Sequence, residues 1–287
     1  MPVSKIRGVN INWQVIGERG PWVALITGGR RGHDEFIPLA RRLAGYGYRV
    51  LLHDRRNTGA SDGLPRQHIS MRQQRADVAA AMDFLAAHPQ TDAGRIGLWG
   101  TSLGGMNVLR VAAARSDVAV AVVQCPMVHG PAAARRLGVA QALRLTPFIA
   151  EDALRTVLRR RRRYVPIVGP PGSKAVVTIE GAEAGWLSTV PAGGHLENRV
   201  AAADAIGLVV ASALRHAADI AAPLLVCVCD RENLIDPKYV ELAARRAPRG
   251  EIRHYDSDHF AIYHRPLVEW ALADQAAFLS KHLDVHA

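Results

Sequence analysis

The sequence predicts an α/β protein, a mostly parallel, doubly wound sheet covered by helices and interrupted once by an insertion. Three observations carry this. Short apolar runs alternate with amphipathic stretches from one end of the 287-residue chain to the other, the pattern of strand–helix–strand units joined by right-handed crossovers. Several runs are apolar at every position, as strands covered on both faces must be. The alternation breaks once, between about residues 130 and 215.

Taken in order, "VNINWQVIGE" (9–18) alternates apolar and polar residues, which predicts an early antiparallel strand. "WVALITG" (22–28), "YRVLLHD" (48–54), "RIGLWG" (95–100), "VAVAVVQCPM" (118–127), "PLLVCVCD" (223–230) and "EIRHYDSD" (251–258) follow as strands. Between them, "DEFIPLARRLAGYG", "ISMRQQRADVAAAMDFLAAHP", "LGGMNVLRVAAARS" and "PKYVELAARRAP" have helical spacing. "PLVEWALADQAAFLSKHL" closes the chain as an amphipathic helix. Residues 130–215 hold Ala- and Arg-rich helical pieces, then "VPIVGPPGSKAV" and "WLSTVPAGGHLENR". The expected organisation is a core of residues 1–129 and 216–287 with a cap inserted at 130–215.

A hydrophobic content of 49% is enough for a large core. No apolar run is long enough to span a bilayer, and "MPVSKIRGVNINWQV" lacks the apolar block of a signal peptide. A cytoplasmic protein with no membrane partner is expected. Three cysteines, Cys125, Cys227 and Cys229, are too few for a disulfide framework and read as small buried apolar residues. The net charge is +10, yet the arginines are spread along the chain and aromatics make up only 6%. That is not the footprint of a nucleic-acid partner. The run "RRRRR" (159–163) reads as a solvated helix face. If the substrate is a thioester on coenzyme A or an acyl carrier protein, the same run would be a landing site for phosphates or acidic groups.

The chemistry centres on "GLWGTSLGGMNVLR" (97–110). Gly100, Thr101, Ser102, Leu103 and Gly104 form a G-x-S-x-G pattern after a strand and before a helix. So tight a turn needs small residues two before and two after the serine, and the helix N-terminus favours developing negative charge. A serine alcohol needs a base, and the base needs a carboxylate to fix its tautomer. His259, in the loop after the last strand, is the expected base; His254 lies inside that strand and His264 opens the last helix. "CVCDRENLIDP" offers Asp230, Glu232 and Asp236. Asp236 precedes Pro237 and reads as a helix N-cap, which leaves Asp230 or Glu232. The oxyanion donors expected are the backbone N–H groups of Leu103 and of Gly29 in "GGRRG" (28–32). No His/Cys cluster has metal-ligand spacing and no G-x-G-x-x-G follows a strand, so neither a metal nor an organic cofactor is expected.

With these residues in place the chain resembles a known family. "HDRRNTGASDG" (53–63) resembles the segment Asp-x-Arg-Gly-x-Gly-x-Ser-Asp-Gly of α/β-hydrolase-fold serine hydrolases. "DFLAAHPQTDAGRIGLWGTSLGG" is similar to their dienelactone-hydrolase and acyl-peptidase-like branch, related to polyketide thiohydrolases and acyltransferases. The resemblance spans nearly the whole chain. It implies the α/β-hydrolase fold with a helical cap and a Ser-His-acid triad acting through an acyl-enzyme. The family's Gly-x-x-Asp-x-x-x-Pro pattern, laid on Cys229, Asp230, Arg231 and Glu232, selects Glu232 as the acid, with Asp230 the alternative. The chain departs from the family in having Glu for Asp, Thr27 where many relatives carry His, and "RRNTG" for Arg-Gly-x-Gly. The expected function is hydrolysis of a small-molecule carboxylic ester, thioester or lactone by Ser102, His259 and Glu232. Acyl transfer by the same triad and a non-catalytic binding protein on the same fold are the alternatives.

Overall fold

The computed structural model describes residues 3–28, 33–91, 94–191 and 197–283. At its centre is an eight-stranded sheet in the order β1-β2-β4-β3-β5-β6-β9-β10. Its strands are β1 (Val3–Ile6), β2 (Val9–Ile16), β3 (Trp22–Ile26), β4 (Arg49–His53), β5 (Ile96–Thr101), β6 (Val120–Gln124), β9 (Leu224–Cys229) and β10 (Gly250–Tyr255). From β4 to β10 all neighbours run parallel, while β2 is antiparallel to β4 and β1 to β2. This is the α/β-hydrolase fold that the resemblance implies. Every strand of this sheet is predicted from the sequence except β1, a four-residue edge strand too short to show a period.

The fully apolar strands are explained by their two neighbours. Along β3, Trp22, Ala24 and Ile26 enter one core with Val78 and Met82 of α2 (Met71–Ala86) and Met106 of α3 (Leu103–Ala112). Val23 and Leu25 enter the other, with Leu39 and Leu43 of α1 (Ile37–Gly45) and Leu272 and Leu279 of α9 (Leu267–Leu283). Successive side chains point to opposite faces, so a strand between two helical layers must be apolar throughout. The helix α8 (Pro237–Arg246) begins where expected: Asp236 accepts from the Lys238 N–H at 3.2 Å, with Pro237 at the first helical position.

Between β6 and β9 the chain leaves the sheet. It forms α4 (Gly130–Leu137), α5 (Val139–Val157), β7 (Tyr164–Val165), α6 (Ala182–Ser188), β8 (Val200–Ala201) and α7 (Asp204–Val210), with β7 and β8 paired antiparallel on their own. A third apolar cluster joins this segment to the core: Val165, Ile167, Val168, Trp186 and Val200 meet Ile69 and Phe260.

The arginine run corrects the sequence reading. Residues 159–163 are not a helix face, because α5 ends at Val157. Arg159 adopts φ +52°, its N–H bonds to the Thr156 carbonyl at 3.1 Å, and the Arg160 N–H bonds to the Arg155 carbonyl at 2.8 Å. That pair of bonds is a Schellman stop, closed here without the glycine that would have announced it. Beyond the stop, Arg162 turns inward. It donates to Asp152 at 2.6 Å and to Asp204 at 2.9 Å, while Asp152 also accepts the N–H groups of Arg163 and Ala203. Arg162, its side chain only 8% exposed, is therefore a structural cation, and Arg159, Arg160, Arg161 and Arg163 stay exposed.

Candidate active site

The serine sits on a strained turn at the C-terminal edge of the sheet. β5 ends at Thr101, α3 begins at Leu103, and Ser102 between them has φ +52° and ψ −122°. A residue with a side chain in this region costs on the order of 1–3 kcal/mol and persists where its surroundings over-determine it. Here the Ser102 N–H donates to the Gln124 carbonyl at 3.1 Å, and the Ser102 carbonyl accepts from the Met127 N–H at 2.9 Å. The flanking glycines answer the spacing directly. A Cβ on Gly104 would lie 2.2 Å from the Ile26 carbonyl oxygen, and one on Gly100 would lie 2.6 Å from Val108. A Cβ on Gly28 would meet that of Ser102 at 2.8 Å, so the chain leaving β3 passes against the turn.

His259 comes from the loop after β10. Asp258 accepts from the N–H groups of Phe260 and Ala261, both at 2.8 Å, and so folds the loop that aims the ring. Nε2 of His259 lies 3.1 Å from Ser102 Oγ, and Nδ1 lies 2.8 Å from a Glu232 carboxylate oxygen. A carboxylate can only accept, so Nδ1–H donates to Glu232 and Nε2 is left to accept from the serine. The other Glu232 oxygen accepts the Leu234 and Ile235 N–H groups at 2.8 and 3.3 Å, which holds the carboxylate in place. His259 and Glu232 are both buried. Burial pushes the His259 ring toward its neutral form, but the Glu232 charge and Cys125 more than offset this and hold its pKa well above the usual imidazole range.

The other candidates fall elsewhere. Asp230 and His254 pair with each other, His254 Nδ1 lying 2.7 Å from an Asp230 oxygen, and both side chains are about half exposed (46% and 48%). His264 Nε2 meets Ser188 Oγ at 3.0 Å. Leu103 opens α3 beside Ser102, where the helix leaves its first amides free to face an anion. Gly29 lies outside the described residues.

Two features escaped the sequence reading. Phe260 stands 5.2 Å from the His259 ring, edge-on, and Trp186 of α6 stands 6.2 Å from Phe260. A Cβ on Gly185 would lie 2.3 Å from the Phe260 ring, so the backbone of α6 rests on the loop that carries His259. The second is Cys125, directly after β6, buried and at φ +37°. Its burial was expected; its neighbours were not. Its Sγ lies 3.6 Å from Thr101 Oγ1 and 3.7 Å from the Tyr263 hydroxyl, and those two hydroxyls bond to each other. Only position at the strand end beside the serine turn pointed to it.

Similarity to known proteins agrees with this architecture. The chain is 32% identical over 246 residues to the quorum-quenching protein AidA of Acinetobacter baumannii, covering 86% of this chain and 81% of that one. It is 34% identical over 116 residues to the thiohydrolase aneE of Aspergillus aculeatus, covering 40% of this chain and 36% of the relative. The crystal structure of the α/β hydrolase GrgF from Penicillium superposes with a TM-score of 0.84 at 22% identity, covering 99% of this chain and all of that one. Residues 21–269 match the Hydrolase_4 family, described as serine aminopeptidase, S33, and this chain belongs to it.

Proposed function

We propose that this protein is a serine hydrolase that cleaves a carboxylic ester, thioester or lactone through an acyl-enzyme on Ser102. The observation that carries the reading is the hydrogen-bonded chain from Glu232 through His259 to the strained Ser102, with contacts of 2.8 and 3.1 Å. In the reaction Ser102 Oγ bonds to the substrate carbonyl carbon as its proton passes to His259 Nε2. The carbonyl π electrons move to oxygen, and the N–H groups of Leu103 and Gly29 are the assigned donors to that oxyanion. When the intermediate collapses, the leaving alkoxide or thiolate takes the proton from Nε2 and the acyl group stays on Ser102. Water, losing a proton to the same nitrogen, then releases the acid and restores the serine. The Glu232 carboxylate favours the imidazolium formed in both halves.

The family supports a hydrolase, and a thiohydrolase among the relatives supports acyl chemistry on sulfur as well as oxygen. Residues 130–215 act in this reading as a cap that selects the acyl group, since α6 lies on Phe260 beside the base. A second reading, transfer of the acyl group to an alcohol, draws on the polyketide transferases among the relatives. Product analysis with and without added alcohol separates the two. For the first reading the decisive measurement is intact mass after treatment with a fluorophosphonate. One adduct on Ser102 is expected, and Ser102→Ala should lose both the adduct and roughly 10³-fold or more of turnover. Labelling of another serine, or retained turnover, overturns it.

A further inference from the structure

Cys125 has no part in the acyl chemistry, yet it lies against the two residues that drive it. The Cys125 sulfur, a His259 ring nitrogen and a Glu232 carboxylate oxygen all lie within 4.8 Å of one another, and all three residues are buried. These residues are more than a hundred positions apart at the extremes, so no spacing in the sequence could have shown them as a set. Thiolate, imidazole and carboxylate are the donor types that bind zinc, and three protein ligands with one open position is an ordinary zinc coordination. We propose that Cys125, His259 and Glu232 form an inhibitory site for a thiophilic divalent cation, zinc being the ion that the donor set fits best.

The charge balance is favourable. On binding, Cys125 gives up its thiol proton and the ring any second proton to solvent, so that thiolate, carboxylate and neutral imidazole form a set that neutralises the 2+ ion. Separations under 4.8 Å need only a small inward movement, because ligand atoms about 2.0–2.3 Å from one zinc ion sit closer together than that. Inhibition follows whichever ring nitrogen binds. A metal on Nε2 occupies the lone pair that must take the serine proton. A metal on Nδ1 displaces Glu232 from its bond and leaves the ring proton on Nε2, where it blocks the same step. Metal binding stands on the three side chains alone; inhibition of turnover also rests on the proposed hydrolase reading.

The test separates these. Equilibrium dialysis of the full-length chain against chelator-buffered Zn2+, with Co2+ absorption as a second probe, is run on wild type, Cys125→Ala, Cys125→Ser and Ser102→Ala. Wild type and Ser102→Ala should each bind one ion, and the Co2+ form should show a thiolate-to-metal charge-transfer band. Both Cys125 variants should lose the band. Removing even an outer-shell partner costs 10–100-fold in metal affinity, so loss of the sulfur ligand should cost at least about 100-fold. For wild type and the two Cys125 variants, hydrolysis of p-nitrophenyl acetate is then compared with the same protein's rate without metal, and the zinc needed for half-inhibition should rise by the same factor in the Cys125 variants. Equal zinc sensitivity with and without Cys125, or bound Co2+ without the sulfur band, overturns the proposal. Metal binding in a chain that hydrolyses no ester would instead overturn the function and leave the site standing.

Discussion

Replacing Glu232 by glutamine separates the two acids that the sequence left open. In the structure the Glu232 carboxylate accepts from His259 Nδ1 at 2.8 Å and is buried, while Asp230 is half exposed and bonded to His254 instead. Glu232→Gln keeps the shape and removes the charge, so the ring loses the partner that sets its tautomer and stabilises its cation. Swapping a triad carboxylate for its amide costs on the order of 10⁴ in turnover, which at about 1.36 kcal/mol per decade is about 5 kcal/mol of transition-state stabilisation. Asp230→Asn removes one exposed pair worth about 0–1 kcal/mol of stability and touches no reacting atom, so its turnover should match wild type. A pH profile adds an independent reading. The base must be neutral, and its raised pKa places the acid limb of kcat/KM above the usual imidazole range, activity falling as pH drops through it. In Glu232→Gln one of the two raising influences is gone, Cys125 alone remaining against burial, so that limb should move to lower pH. Steady-state kinetics on both variants across pH 5–10, a range of about two units either side of neutrality and beyond, supply both numbers. If Asp230→Asn is the crippled variant, or the limb does not move, the role assigned to Glu232 is wrong.

Three further outcomes are expected. Arg162→Gln takes the guanidinium from the buried Asp152 and Asp204, leaving His68 beside Asp204, and should destabilise the fold by about 3–5 kcal/mol in denaturant unfolding; a loss under about 1 kcal/mol would mean that the network carries little. Trp186→Ala should shift the preference among acyl-chain lengths while an acetyl ester reacts nearly as before, whereas Leu187→Ala, on an exposed side chain, should do little; uniform loss on every ester would indicate structural damage. Glutamine at Arg159, Arg160 and Arg161 should lower kcat/KM for a carrier-bound thioester, less so at high salt, and leave a neutral ester unchanged; equal effects on both substrates would remove any landing role.

Much of the molecule was legible as sequence because its causes are local. Period and apolarity placed the strands β2 to β6, β9 and β10, since a strand between two helical layers has no polar face to show. Gly100 and Gly104 flank Ser102 because any Cβ there would strike backbone or a packed side chain, and that requirement is written in the residues themselves. Asp236 before Pro237 announced its helix for the same reason. Chain order and the N-cap reading of Asp236 brought the choice of acid down to two residues, and the family pattern to Glu232. Only the tertiary structure decided where each side chain points. Asp230 and Glu232 are two residues apart on one loop, yet one faces His254 in solvent and the other His259 in the interior. The arginine run reads as uniform charge, yet a Schellman stop turns Arg162 alone toward Asp152 and Asp204. Cys125 reached the site through the parallel register of β6 with β5 and β9, and Trp186 through the docking of α6 on Phe260, contacts between residues far apart in the chain. Local chemistry is carried by neighbours in sequence, whereas burial and side-chain direction depend on what the rest of the fold packs against each residue.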